Sequence, residues 1–390
     1  MTNYAPLWKL AEVNPLTPEF QDLDEGVSVS FMPLETIWPG GRADYSRSIS
    51  WSKKLSYTTF RRGDVLVPKI TPTFEAGRSI IAQIPTGLGV ASTEVHVVRT
   101  QPGVDSRFVT YSLQSAPFLD EGAHSLQGVG NLRRITPRFV QEHQLLDAPA
   151  ETQKRIADYL DRETGEIDAM LAKMDELTTT LASRRAAAVD QSLECSFGNH
   201  MAPIWALLSP VKEQNHPMEE VLSVYRDFGV IPKSSRDDNN NRTPKDLTSY
   251  QLVLVGDLVI NKMKAWQGSL GVSNHRGIVS PDYQVARPRV LMDSRFLHAV
   301  LRSPRMIPQY RVRSTGVRPS QWRLYWEDFA DLMVPMPPLA EQTRIADHLD
   351  EVTGKIDHML AKTAELKSLL IERRSALITD VVTGKKQVHS

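Results

Sequence analysis

The segment Arg155–Lys173, RIADYLDRETGEIDAMLAK, returns as Arg344–Lys362, RIADHLDEVTGKIDHMLAK, far along the chain and after unrelated sequence. A chain that carries one helix-patterned segment twice must bury two matching apolar stripes, and this limits its possible folds more than any other feature. Catalytic sites rarely need such a layout. A spacer does.

Sliding the sequence against itself gives further matches in the same order. Ala5-Pro6-Leu7-Trp8 returns as Ala202-Pro203-Ile204-Trp205, and Gly63-Asp64-Val65-Leu66-Val67-Pro68-Lys69 as Gly256-Asp257-Leu258-Val259-Ile260-Asn261-Lys262. Asp105-Ser106-Arg107-Phe108 returns as Asp293-Ser294-Arg295-Phe296. Four ordered matches describe a duplicated unit, each copy a globular part followed by a long helix. In the globular parts, apolar runs at Asp64–Pro68, Val95–Val98, Gln251–Val255 and Asp257–Ile260 read as strands between Gly, Pro and Asn clusters. Phe108–Leu113 and Phe296–Leu301 read as short helices.

Read in steps of four and three, the helices show an apolar seam of coiled-coil type. In the first copy it runs through Ile156, Leu160, Ile167, Met170, Leu177 and Leu181; in the second through Ile345, Leu349, Ile356, Met359, Leu366 and Leu370. Glu163, Thr363, Arg184 and Arg373 interrupt it, so each helix alone is marginal and antiparallel pairing within the chain buries both stripes. Gly165 and Gly354 fall at matched places, each costing about 1 kcal/mol relative to alanine in a helix; a bend or a close approach of the partner helix is expected there. The fold class expected is mixed α/β, with two globular domains separated by two long antiparallel helices forming an intramolecular coiled coil.

The chain has 390 residues, 41% of them hydrophobic and 24% charged, which suits two soluble domains with cores of their own. It contains no apolar run long enough to span a membrane. Met1–Val13 lacks the layout of a signal peptide, and the one cysteine, Cys195, leaves neither a disulfide nor a cysteine-based zinc site. The cytoplasm is the expected compartment. The formal net charge is zero, yet Arg295–Tyr325 holds seven arginines and no acid, and Arg42–Arg78 is basic as well. Local field rather than the sum decides whether a surface attracts nucleic acid.

The succession of globular domain, helix repeat, second globular domain and second helix repeat resembles the specificity subunit of type I restriction–modification systems. The resemblance is carried by Pro337-Pro338-Leu339-Ala340-Glu341-Gln342 leading into Arg344-Ile345-Ala346-Asp347-His348-Leu349-Asp350, by the Arg373-Arg374 pair, and by the Gly-Asp strands. It covers essentially the whole chain. The first half departs from it, with Ala148-Pro149-Ala150-Glu151-Thr152-Gln153 in place of the Pro-Pro form. The resemblance implies target-recognition domains at 1–150 and 196–340, with coiled-coil helices at 151–195 and 341–390, the latter including the C-terminal tail. It implies a non-catalytic subunit that binds double-stranded DNA, each half reading one part of a bipartite asymmetric site. Modification (methyltransferase) subunits docked on the helices bring S-adenosylmethionine, and restriction (endonuclease) subunits join where the complex also cuts. About 35 helical residues span roughly 50 Å, enough to set two readers on groove faces that recur about every 34–36 Å.

Base readout needs Arg or Lys against guanine, Asn or Gln against adenine, and Ser or Thr against either, while Lys and Arg also fix register on phosphates. In the second domain the candidates are Arg313, Ser314, Arg318, Ser320 and Gln321, with Lys262 and Lys264 behind them. In the first they are Gln127, Asn131 and Arg133 for bases and Lys53, Lys54, Arg61, Arg62, Lys69 and Arg78 for phosphates. Enzyme chemistry finds no support. Asn14-Pro15-Leu16-Thr17 is not an amino-methyltransferase motif, Gly87-Leu88-Gly89 lacks a third glycine, and no phosphate loop occurs. Pro281-Asp282 lacks the acidic-x-Lys partner of a nuclease, and His348 and His358 are too far apart on a helix to share a metal. No catalytic residue, metal or cofactor is expected in this chain. Two other classes fit the layout: a coiled-coil protein-interaction scaffold and a stand-alone DNA-binding regulator.

Overall fold

A computed structural model describes residues 3–130, 132–194, 196–198, 200–226, 228–236, 243–318 and 321–388. Cys195 and the candidates Asn131 and Ser320 lie outside the described residues. Two compact units result, one of residues 1–175 with 364–390 and one of residues 176–363. The long helices, Ala150–Glu194 and Leu339–Val382, therefore each give one end to either unit, where the sequence reading treated them as separate segments. No described helix is long and apolar enough to cross a membrane.

In the first unit an antiparallel sheet runs Ala11–Val13, Val95–Thr100, Val65–Pro68, Ile80–Ile81. In the second the same frame runs Leu208–Val211, Tyr283–Pro288, Leu258–Asn261, Leu270–Val272. The repeated Gly-Asp dipeptide opens the central strand of each. Gly63 and Gly256 both take φ +91°, a left-handed turn that glycine adopts without strain. The aspartate that follows is buried and doubly engaged. Asp64 accepts from the Arg61 amide at 2.7 Å and from Arg99; Asp257 accepts from the Leu254 amide at 2.9 Å and from Arg287. Beyond this frame the units differ. The first adds a four-stranded sheet of Ser48–Ser50, Ser28–Met32, Leu88–Ala91 and Thr58–Arg61, whereas the second adds two hairpin-sized pairs, Leu222–Tyr225 with Gly229–Pro232 and Gln251–Val253 with Gly277–Val279.

The Ala-Pro-apolar-Trp repeats also find a common role. Tyr4–Pro6 pairs with Gln144–Leu146, and Met201–Pro203 with Met333–Pro335, so each domain's first strand grips the segment that enters its long helix. The helix starts are tied down by Gln153 and Gln342. Gln342 accepts from the Asp293 amide at 3.0 Å and donates to the Pro337 carbonyl at 2.8 Å. Gln153 does the same with Asp105 and Ala148, at 3.1 and 2.8 Å, so the departure from the Pro-Pro form leaves the joint intact.

Each core is built from strands, short helices and one end of either long helix. In the first unit Val65, Val67, Phe108 and Phe118 pack with Ile156, Leu160, Ile378 and Val381. In the second Leu258, Ile260, Phe296 and Phe329 pack with Leu193, Ile345 and Leu349. Buried side chains of this kind each stabilise by about 1.5–3 kcal/mol. Within the first unit Arg374 meets Asp168 at 3.1 Å and Lys367 meets Asp175; within the second Arg185 meets Asp357 at 2.7 Å. The residue numbers of all three pairs add to 542, a single antiparallel register.

The seam differs from the expected one in phase. Leu160, Ile167, Leu181, Leu349 and Ile356 are buried as expected, and Leu370 is half-buried. Elsewhere the more buried residue comes one later: Thr164 is buried and Leu171 and Leu360 are half-buried, whereas Ala157 and Ala346 are buried alongside Ile156 and Ile345. Met170, Leu177, Met359 and Leu366, expected in the seam, are 45, 42, 45 and 48% exposed. The shift is identical in both copies. Ile156 and Ile345 are buried as expected, and they pack in the domain cores together with Leu160, Leu349 and Ala346. Gly165 and Gly354 do not mark a close helix contact either: a Cβ on each would meet nothing within 4 Å.

Candidate nucleic-acid interface

In the first unit the central strand Val65–Pro68 ends at Lys69, whose carbonyl accepts from the Ile135 amide at 3.0 Å, while the Thr71 amide donates to the Arg133 carbonyl at 2.9 Å. The next loop is closed by a mutual pair, Gln127 and Arg134 exchanging amide and carbonyl at 2.9 and 2.8 Å. Lys69, Gln127 and Arg133 are thereby brought together. Gly128, at φ +127°, could not carry a Cβ, which would lie 2.8 Å from the Leu132 carbonyl oxygen; a tight turn results whose tip residue, Val129, is 89% exposed. Arg134 is spent on the frame, gripping Glu94 at 2.7 and 2.8 Å. The Arg133 side chain stays exposed.

The second unit repeats the device. Leu258–Asn261 leads to Lys262, whose carbonyl accepts from the Leu324 amide at 2.9 Å, and Thr315 and Arg323 exchange amide and carbonyl at 3.0 and 2.9 Å. Gly316 stands where Gly128 stands, its missing Cβ only 2.7 Å from the Gln321 carbonyl oxygen, and Val317 at the tip is 94% exposed. Trp266 and Trp322, edge to face at 5.5 Å, stiffen the two loops against each other. Lys264, Arg318 and Gln321 are exposed around them. Arg313 is half-buried and donates to Gln309 at 2.9 Å.

Four candidates have internal duties instead. Ser314 is buried, donating to the Tyr310 carbonyl at 2.8 Å as the helix Met306–Arg313 ends. Arg61 pairs with Glu19 at 2.7 Å. Arg62 donates to the carbonyls of Ile84 and Pro85, and Arg78 to that of Ile37 at 3.3 Å. Lys53 and Lys54 are exposed, just beyond the Ser48–Ser50 strand. The valine tips and the tryptophan pair were missed in the sequence, although Gly128-Val129 and Gly316-Val317 form a further repeat. Exposed Lys, Arg and Gln on rigid loops have the chemistry to bind phosphates and base edges. Among the described residues no group of three His, Cys, Asp or Glu is placed to hold a metal.

No protein-family profile matches the chain. The Escherichia coli type I restriction enzyme EcoAI specificity subunit is 30% identical over 159 residues, 39% of this chain and 26% of that protein. The EcoEI specificity subunit of the same organism is 27% identical over 151 residues, 38% of this chain and 25% of that protein. The chain thus spans about a quarter of the length of these curated relatives. Among solved structures, a chain from work on the assembly and conformational transition of a type I restriction–modification system matches with a TM-score of 0.67 at 14% identity, over 98% of both chains. The HsdS subunit of Thermoanaerobacter tengcongensis matches with a TM-score of 0.52 at 16% identity, over 98% of this chain and 97% of that one. The fold is shared from end to end.

Proposed function

We infer that this chain, a type I restriction–modification specificity subunit by its relatives and its fold, binds double-stranded DNA through two readers that each take one part of a split, asymmetric site. The observation that carries this reading is one loop pair, presented at the end of the same central strand in both units but armed with different side chains: Lys69, Gln127 and Arg133 in one, Lys262, Arg318 and Gln321 in the other. Equal frames with unequal tips suit an asymmetric target. The paired helices set the unread gap and dock modification subunits, whose S-adenosylmethionine supplies the methyl group; restriction subunits join where the complex also cuts. The chain takes no catalytic step itself and works in the cytoplasm, beside its DNA. Met170, Leu177, Met359 and Leu366, turned outward at matching places, support partners of the same kind on both helices.

The test is to lengthen both helices. With a copy separation of 189 residues and a pair sum of 542, the points just after Glu176 and Glu365 are equivalent in the two helices. A heptad inserted after each adds about 10 Å, roughly three base pairs at about 3.4 Å each. Methylation mapping is expected to find the same two half-sites moved apart. New half-sites with an unchanged gap would refute the reading, and so would DNA binding that salt does not weaken.

A further inference from the structure

Val129 and Val317 stand at the tips of the two candidate loops and are almost bare to solvent. Turns draw on Gly, Asn, Asp, Pro and Ser, whose backbones or side chains suit them. Valine brings neither advantage and leaves two methyl groups in water. One such residue would be ordinary, because single apolar side chains are common on surfaces. Two, at the equivalent place of loops whose other side chains differ, need a cause. A local rule broken twice with no return inside the fold marks a functional position.

The loops hold these tips still. Gln127 and Arg134 close the first through paired amides and carbonyls, and Thr315 and Arg323 close the second. Gly128 and Gly316, one residue before each valine, let the backbone pass close to the opposite side of the loop. Valine adds stiffness of its own, since branching at Cβ restricts χ1. The methyl groups are thereby fixed in direction, as a recognition contact needs.

The surroundings indicate what the methyl groups meet. The first tip shares its loop with exposed Gln127 and Arg133, the second with exposed Arg318 and Gln321. Cations and amides beside each tip suit a polyanion with hydrogen-bonding edges rather than an apolar protein surface. In the major groove of DNA one apolar group lies among the donors and acceptors, the C5-methyl of thymine. A wedge driven between base steps uses larger side chains such as phenylalanine, leucine and methionine. Valine extends a single carbon beyond Cβ and is too short for that.

We propose that Val129 and Val317 each rest on the C5-methyl group of one thymine, one thymine in either half-site. This rests on the reading that the loops bind DNA, and it names a base feature that they recognise.

The test uses the full chain with its modification subunit. Half-sites are located by methylation mapping, and each thymine in them is then replaced singly by deoxyuridine, which lacks only the methyl. One replacement in each half-site is expected to weaken binding about fourfold, the worth of one buried methyl. Val129→Ser is expected to abolish that discrimination in one half-site and Val317→Ser in the other, with salt-sensitive binding kept. Both side chains lie outside the cores, so the variants are expected to melt at the wild-type temperature. A half-site without thymine, deoxyuridine tolerated throughout, or discrimination that survives both serine changes overturns the contact alone, provided specific binding persists. A chain that binds no duplex specifically overturns the functional reading and the contact with it. Two further results would overturn the proposal. A fluorescent purine analogue that unstacks on binding wild type but not the serine variants would show a wedge. Serine variants that lose the modification subunit yet keep thymine discrimination would show a protein contact.

Discussion

Arg107 and Arg295 each hold three carboxylates, and this explains why two separate motifs are repeated together. Arg107 donates to Asp105 at the start of its own short helix and to Asp158 and Asp161 on the long helix; Arg295 does the same with Asp293, Asp347 and Asp350. Burial alone would raise the Asp105 carboxyl, but the Arg107 hydrogen bonds outweigh it and hold it below the usual carboxylate value. Histidines supply a testable consequence at this scale. Burial first of all pushes His96 down to about 4, although its Nε2 faces the Ile135 carbonyl at 3.2 Å, and burial with the nearby Arg302 pushes His298 down to about 4 as well. In the unfolded chain both take up protons near the ordinary value of about 6.5. Their neutral burial therefore stabilises fully above that value and fades as the pH falls from there toward 4. Denaturant titrations are expected to show this loss, and a His96→Gln, His298→Gln double variant a flatter slope; an unchanged slope would rule the account out.

At the scale of elements, the two helices were legible because a four-three pattern repeats through both. Their phase was not. Met170 and Leu171, and Met359 and Leu360, are adjacent apolar pairs, and only a packed neighbour selects one of each. Two leucines of the first helix separate the alternatives. Leu181→Ala is expected to cost about 2–5 kcal/mol, as for a buried leucine, and Leu177→Ala about 0.5 kcal/mol or less, as for an exposed one. Equal losses in thermal or denaturant unfolding would restore the phase expected from the sequence. The four strands and two short helices named from the sequence fall close to their observed places, since Gly-Asp turns and Asp caps mark several of their starts. The other strands, among them the second sheet of the first unit, carry no such mark. The arginines were harder. Arg61, Arg62 and Arg78 look free in sequence, but Glu19 and the carbonyls of Ile84, Pro85 and Ile37 engage them.

For the whole molecule, the proposed function, with one reader in each unit, implies that damage is local. Arg133→Ala in the first unit is expected to relax one half-site only, and Gln321→Ala in the second the other, each by about 1–3 kcal/mol at the position read. Methylation mapping on randomised sites checks this; a variant that relaxes both halves equally would count against independent readers. The duplication, the two long helices, the Gly-Asp strands and the basic loops were all decided by the sequence itself, because repetition and periodicity are local records of what must be buried. Which face of each helix turns inward, which arginines are consumed within the fold, and where open space remains over Gly165 and Gly354 were decided only in the tertiary structure. Each of those depends on a neighbour distant in the chain, and no local pattern encodes where that neighbour will lie.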